Sequence, residues 1–334
     1  MGKKFSKVTT SHWGAFNVFV ENDRIVKTEP FHADPAPPNI SELVPNAVYH
    51  STRIDQPYVR KGWIEKNPDT ARGSDEFIPI GWEDAIDLAA KELNRIKNDY
   101  GNKAIYGGSY GWASAGRFHH SQSQLHRFLN SFGGYVSSFA SYSTGAAQAI
   151  IPHVLGLNFH KITWGEINSW SLIGKHTDNL IIFGGINPKN SQVSMGGSTE
   201  HDVSAHFKKF GKMGKNMVSI SPQKDDSPKE TRWLPILPGT DVALMLAIAY
   251  VLETEKLTDQ NFLNRYCSGY EIFKTYFLGN NGHVAKTPEW ASEITGINAS
   301  EIKKLARKMA LGRTIISVSW SLQRARYGEH PYWM

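Results

Sequence analysis

From Trp82 onward the chain alternates helical stretches with short apolar runs that stop at glycine or Ser-Pro, and this alternation constrains the fold more than any other feature. Trp82 to Tyr100 places Ile86, Ala89, Leu93 and Ile96 on one stripe and stops at Gly101, which predicts a helix. Ala104-Ile105-Tyr106 reads as a short buried strand running into Gly107-Gly108, and Arg117 to Phe132 as a helix stopped by Gly133-Gly134. Further strands are expected at Asn179–Phe183 before Gly184-Gly185, at Met217–Ile220 before Ser221-Pro222, and at Thr314–Val318. Asp241 is expected to cap a helix through Leu252. Asn298-Ala299-Ser300-Glu301 has the spacing of a capping box for a helix through Met309. The pattern predicts an α/β fold, a Rossmann-like parallel sheet with crossover helices.

Ahead of that region lies a small β-containing segment. Asn17–Val20 and Arg24–Val26 flank an Asn-Asp turn, and residues 31–81 are rich in Pro, Asp and Asn with little periodicity. The expected organisation is an N-terminal hairpin and irregular covering region at 1–81, followed by an α/β region at 82–334. Two interleaved subdomains are expected in the latter, with a boundary near 155–180. The chain ends at Tyr332-Trp333-Met334 after a polar loop, with no closing helix in the pattern, so an incomplete part of a larger multidomain fold is expected.

Composition narrows the chemistry. A net charge of +6 suits anionic ligands, but no block of five or more Lys/Arg occurs, so phosphate-bearing cofactors fit better than nucleic acid. The single cysteine, Cys267, excludes an internal disulfide and a cysteine-ligated zinc or iron–sulfur site, and is expected to be partly buried at a helix end. The longest apolar run, Val242 to Leu252, is too short to span a bilayer. The start, Met1-Gly2-Lys3-Lys4-Phe5-Ser6, has neither an apolar core nor twin arginines; a cytoplasmic location is expected, or a periplasmic one if an export signal has been trimmed.

Ligands of parallel sheets lie beyond the carboxyl ends of the strands, where 107–112, 184–190, 221–227 and 319–324 are expected. Gly111 to Phe118 has the GxxxxG spacing of a phosphate loop without its Lys-Ser/Thr, which argues against a kinase or ATPase. Tyr110 and Trp112 can aim a phenol O–H and an indole N–H at one acceptor, or fill a loop–core contact. Ser143, before a helix starting near Gly145, reads as an N-cap or as a hard alkoxide ligand for a high-valent metal. His119, His120 and His126 lie on one expected helix; His119 and His126 share a face, but a metal site would need a third ligand and none is close in sequence. Asp241 reads as a cap, or as a carboxylate accepting from the N1–H and N2–H of guanine. No Gly-x-Ser-x-Gly elbow is present.

Several ordered segments resemble the N-terminal part of the molybdopterin guanine dinucleotide-dependent S/N-oxide reductases, the dimethyl sulfoxide, trimethylamine N-oxide and biotin sulfoxide reductases. They are Ser11-His12-Trp13-Gly14, Arg72 to Ala85, Gly107-Gly108-Ser109-Tyr110-Gly111-Trp112, Tyr142-Ser143-Thr144-Gly145-Ala146-Ala147-Gln148, Thr240 to Leu246, and Trp320-Ser321-Leu322-Gln323-Arg324 with Gly328-Glu329 and Trp333-Met334. The resemblance implies molybdenum held by two pterin guanine dinucleotides, with Ser143 as the protein ligand and no iron–sulfur cluster. It implies that Tyr110 and Trp112 hydrogen-bond the oxo group or substrate oxygen. It places Gly111, Asn187, Pro188, Ser221, Pro222, Asp241, Gln323 and Arg324 against the cofactor. Mo(IV) would take an oxygen atom from a small sulfoxide, and an external donor would return the electrons. Tyr110 favours S-oxides over trimethylamine N-oxide. An N-oxide (trimethylamine N-oxide) reductase, or a non-catalytic nucleotide-binding fragment or split subunit, is the alternative. Ser141 stands where the subfamily has Asp and is a rival to Ser143, and Ala113 also departs from the pattern. Relatives of about twice this length imply a C-terminal cofactor-binding domain absent here, and a fragment that is inactive alone.

Overall fold

The computed structural model describes residues 4–67, 73–109, 120–164, 168–193 and 200–334. The chain divides into two compact units, Met1–Phe139 with Gln192–Glu200 and Ala140–Ser191 with His201–Met334.

The first unit opens with an antiparallel sheet, β1 (Lys4–Ser11), β2 (Gly14–Glu21) and β3 (Arg24–Pro30), in that spatial order. The expected Asn-Asp turn joins β2 to β3, with Asn22 and Asp23 at φ 52° and 61°, the left-handed geometry that lets a two-residue hairpin follow the strand twist. Residues 31–81 are more structured than expected. They hold the short helices Val44–Tyr49 and Lys61–Ile64 and an antiparallel pair, β4 (Tyr58–Arg60) with β5 (Phe77–Pro79). The helix Trp82–Tyr100 has its expected bounds, yet none of its residues is buried and Ile86 is 60% exposed. Ala104-Ile105-Tyr106 is not a strand: a three-residue 3-10 turn ends at Ala104, and Tyr106 makes one bridge to Val136. Only Ile105 is buried there, too little for a core strand.

The second unit carries the parallel sheet: β6 (Asn179–Phe183), β7 (Asn216–Ile220), β8 (Arg232–Leu234) and β9 (Thr314–Val318), in spatial order β8-β7-β6-β9. All five residues of β6 are buried, as expected of a central parallel strand. Alternation sends Ile181, Phe183, Val218 and Ile220 into a core with Leu244, Ile248, Ile302 and Leu305 from the helices Asp241–Thr254 and Ala299–Ala310. Leu180, Ile182 and Met217 pack the other way on Phe207 and Phe210 of the helix Val203–Lys212. The result is three layers, helix–sheet–helix.

Local expectations needed correction. Thr240, not Asp241, is the N-cap of the helix Asp241–Thr254, and Asp241 is its first residue. Asn298 is an N-cap without a side-chain capping bond, and the other half of the expected box is missing too, since Glu301 pairs with Lys304 (2.8 Å) and Arg232 (2.7 Å). Cys267 follows the helix Gln260–Tyr266 and is exposed, not partly buried. A short helix, His330–Trp333, closes the segment read as a bare polar loop.

Candidate functional site

Strand order reverses between β6 and β9: β7 and β8 extend the sheet on one side of β6, and the chain returns on the other. A crevice at such a switch point, beyond the carboxyl ends, is where parallel sheets bind ligands. Three loops meet there. The Ser319 amide donates to the Phe183 carbonyl at 2.9 Å and the Gly184 amide to the Ile220 carbonyl at 2.8 Å. Gly184, at φ 82°, lies so close to the third loop that a Cβ would come within 2.7 Å of Ser319 Cβ.

Asn187 and Ser221, on the loops after β6 and β7, converge on one carboxylate that sequence reasoning did not single out. Asn187 Nδ2 donates to Asp226 Oδ1 at 3.1 Å, and Ser221 Oγ donates to Asp226 Oδ2 at 3.2 Å. Ser221 is fully buried, and its carbonyl accepts from Trp233 Nε1 at 2.9 Å. Pro188 closes a turn through its carbonyl, which accepts from Ser191 Oγ at 2.6 Å, and Pro222 is exposed.

Asp241 is 4% exposed, and among the described residues its Oδ1 is buried with no hydrogen-bond partner. Burial pushes its carboxyl above the ordinary aspartate range, and its own main-chain amide opposes the shift. An acceptor left without a donor at a helix start beside the strand ends fits a ligand that brings N–H groups of its own.

Ser143 immediately precedes Thr144, the N-cap position of the helix Gly145–Leu155, so Ser143 does not occupy the cap position considered for it. Thr144 makes no side-chain cap bond and accepts from Gln148 Nε2 at 2.7 Å. The Ser143 carbonyl accepts from Gln323 Nε2 at 3.0 Å and from Arg324 Nε at 3.4 Å. Gln323 Oε1 in turn accepts from the Ala147 amide at 2.8 Å. Both polar atoms of the Gln323 side chain are thus engaged by the Ser143 loop, while Arg324 is exposed and carries positive charge beside it. Burial raises the Tyr332 phenol to about 12, against the pull of Arg324, so Tyr332 stays neutral.

Tyr110, Gly111 and Trp112, together with the Gly111–Phe118 segment and His119, lie outside the described residues. His120 is an N-cap accepting from the Ser123 amide at 3.3 Å, and His126 stacks on Tyr135. Among the described residues no group of three His, Cys, Asp or Glu could hold a metal. An apolar groove lined by Leu252, Leu257, Phe262, Leu263, Met309 and Ile316 lies beside β9 and includes none of the candidate residues beyond the carboxyl ends of the strands.

Residues 53–334 match the family described as molybdopterin oxidoreductase, and residues 9–49 match the molybdopterin oxidoreductase N-terminal domain. The chain belongs to the molybdopterin oxidoreductase family. It is 38% identical over 333 residues to the trimethylamine-N-oxide reductase of Haemophilus influenzae, covering 98% of this chain and 40% of that protein. It is 38% identical over 310 residues to the biotin sulfoxide reductase of Cereibacter sphaeroides, covering 91% and 41%. It is also 38% identical over 328 residues to the dimethyl sulfoxide/trimethylamine N-oxide reductase of that organism, covering 97% and 39%. The chain therefore spans about two fifths of the length of these curated relatives. The acetylene hydratase from Pelobacter acetylenicus has the same fold over 97% of this chain and 42% of its own, with a TM-score of 0.64 and 22% identity. Family membership implies a molybdenum–pterin cofactor. The partnerless buried oxygen of Asp241 fits such a group.

Proposed function

We propose that this chain is the N-terminal part of an enzyme that reduces a small sulfoxide with a molybdenum bis(molybdopterin guanine dinucleotide) cofactor. The observation that carries the reading is Ser143, offered at a helix head by Gln323 and Arg324, in a chain similar over nearly its whole length to sulfoxide and N-oxide reductases. When bound, the molybdenum–pterin group supplies the two-electron, oxygen-accepting chemistry. The net conversion takes a sulfoxide, two electrons and two protons to a sulfide and water.

The chain's own residues bind, orient and donate. Ser143 would hold the metal through Oγ, giving up its proton to become a hard anionic ligand. Tyr110 and Trp112 would donate O–H and N–H to the substrate oxygen and so fix its approach. Asp241 would accept from guanine N1–H and N2–H, a pair that adenine lacks. Asn187, Pro188, Ser221 and Pro222 would line the nucleotide path, and the exposed guanidinium of Arg324 would meet phosphate or pterin oxygen. With one cysteine in the chain, electrons are proposed to come directly from an external donor.

The test uses the protein encoded by the complete coding region. Molybdenum and pterin content are measured together with reduction of dimethyl, methionine and biotin sulfoxide and of trimethylamine N-oxide. Folded, metal-replete protein that reduces none of them sinks the proposal. Faster turnover of the N-oxide than of any sulfoxide would favour the second reading, to which the name of the Haemophilus influenzae relative points. Ser143→Ala should abolish turnover with the fold intact, and full activity in that variant would assign the ligand elsewhere, with Ser141 the next candidate.

A further inference from the structure

We propose that Gln323 is a positioning residue for Ser143, acting as a helix cap supplied from the far end of the chain. The proposal deepens the reading of Ser143 as metal ligand and rests on it. A helix start leaves amides without intrahelical acceptors, and the N-cap side chain ordinarily accepts from the second or third of them. In the helix Gly145–Leu155 the N-cap, Thr144, makes no such bond. Gln323 takes its place: Oε1 accepts from Ala147, the third helical residue, at 2.8 Å. The other half of the carboxamide donates to the Ser143 carbonyl at 3.0 Å. One planar group therefore fixes two main-chain atoms on either side of the N-cap and leaves the Ser143 backbone little freedom. The position of a serine Oγ follows from that backbone and one torsion, so holding the carbonyl holds the ligand.

The clamp is itself held. Gln323 is 5% exposed, which shields both bonds from water. It ends a 3-10 turn, Trp320–Gln323, started by Ser319, whose Oγ accepts from the Ser321 amide. Gly328 lies against the Gln323 carbonyl so closely that any Cβ there would collide with it. Tyr332, beyond Gly328, packs on the cluster of Ala147, Ile151 and Phe159 that includes the same helix. Both ends of the 323–332 segment thus grip the helix that presents Ser143.

The experiment compares Gln323→Leu, the isosteric Gln323→Glu, Gly328→Ala and Ser143→Ala in the complete protein. In cofactor-free protein, Gln323→Leu should speed hydrogen exchange of the Ala147 amide by roughly tenfold, the loss of about one buried hydrogen bond. The β6 amides should be unaffected. Gln323→Glu keeps the acceptor for Ala147 and loses the donor to Ser143, so Ala147 exchange should stay near the parent's. Gly328→Ala should act like Gln323→Leu, because it moves the carboxamide without altering it. In loaded enzyme, Gln323→Leu should keep its metal and pterin, lower kcat by about tenfold with KM nearly unchanged, and shift the visible metal–ligand bands toward those of Ser143→Ala. Unchanged Ala147 exchange, or acceleration equal throughout the sheet, overturns the clamp. Altered exchange with unchanged bands and kcat overturns its link to the ligand. Full activity in Ser143→Ala overturns the ligand reading separately, because the exchange result does not depend on it.

Discussion

Gly185 meets Asp226 backbone against backbone. Gly185 turns at φ 76°, and a Cβ there would strike the Asp226 carbonyl and come within 2.8 Å of Asp226 Cβ. The loops after β6 and β7 are thereby held together beyond the strand ends. Gly185→Ala adds a left-handed conformation unfavourable to any residue with a Cβ and a collision that only main-chain movement relieves. The variant should lose about 2–3 kcal/mol in denaturant unfolding. A midpoint equal to the parent's would mean that the two loops can part without penalty.

The same carboxylate holds both loops through side chains, which sets a second expectation. Asp226→Ala leaves Asn187 Nδ2 and the buried Ser221 Oγ without their acceptor, for a loss of about 2 kcal/mol. Asp226→Asn retains one carbonyl oxygen and should lose less. Urea titrations of both variants are the check, and an Asp226→Ala midpoint equal to the parent's would show that the carboxylate does not hold the loops.

Much of this architecture was legible in the sequence where apolar runs or stripes stop at turn residues. The bounds of β6, β9 and the helix Trp82–Tyr100 match those read from residue type, because Asn-Leu-Ile-Ile-Phe and Thr-Ile-Ile-Ser-Val are apolar runs between turn residues. β1 escaped detection because Lys4 to Thr10 are all exposed and carry no period-two apolar signal. β4, β5 and β8, at three residues each, are too short to show a period. Among the candidate site residues, Ser143 and Asp241 are singled out through motif resemblance. Asp226 is not, since nothing local distinguishes it from Asp225. The partner of Gln323 is legible only in three dimensions, because Ala147 lies 176 residues away in sequence.

Gly174 offers a case in which two effects oppose each other. It lies in the helix Trp170–His176 and is buried, and a Cβ at this position would come within 2.6 Å of the Phe210 ring. Gly174→Ala gains about 1 kcal/mol of helix propensity. Overpacking a buried ring costs about 1–3 kcal/mol, and Phe210, 2% exposed, has no space to retreat into. The collision should win, and the melting temperature should fall. A rise in the melting temperature would show that the aromatic cluster around Phe207 and Phe210 yields.

Asp241 links stability to pH with a sign opposite to that of a salt-bridged carboxylate. Its folded value is raised by burial, so the folded protein binds this proton more tightly than the unfolded chain. Its contribution to stability is therefore full below the unfolded value near 3.8 and is lost as pH rises through the raised folded value. Above that folded value the cofactor-free protein holds a desolvated charge with one oxygen lacking a donor. Asp241→Asn removes that charge and should stabilise the cofactor-free protein above that value by about 1 kcal/mol, an advantage that shrinks as pH falls toward the ordinary aspartate range. The same substitution should weaken binding of a guanine dinucleotide, because the amide keeps only one of the two acceptors. Thermal melts of parent and variant from pH 4.5 to 8, with and without the cofactor, read both effects. A stabilisation independent of pH, or a variant that retains the cofactor as tightly as the parent, would show that the Asp241 carboxylate serves the helix and not a ligand.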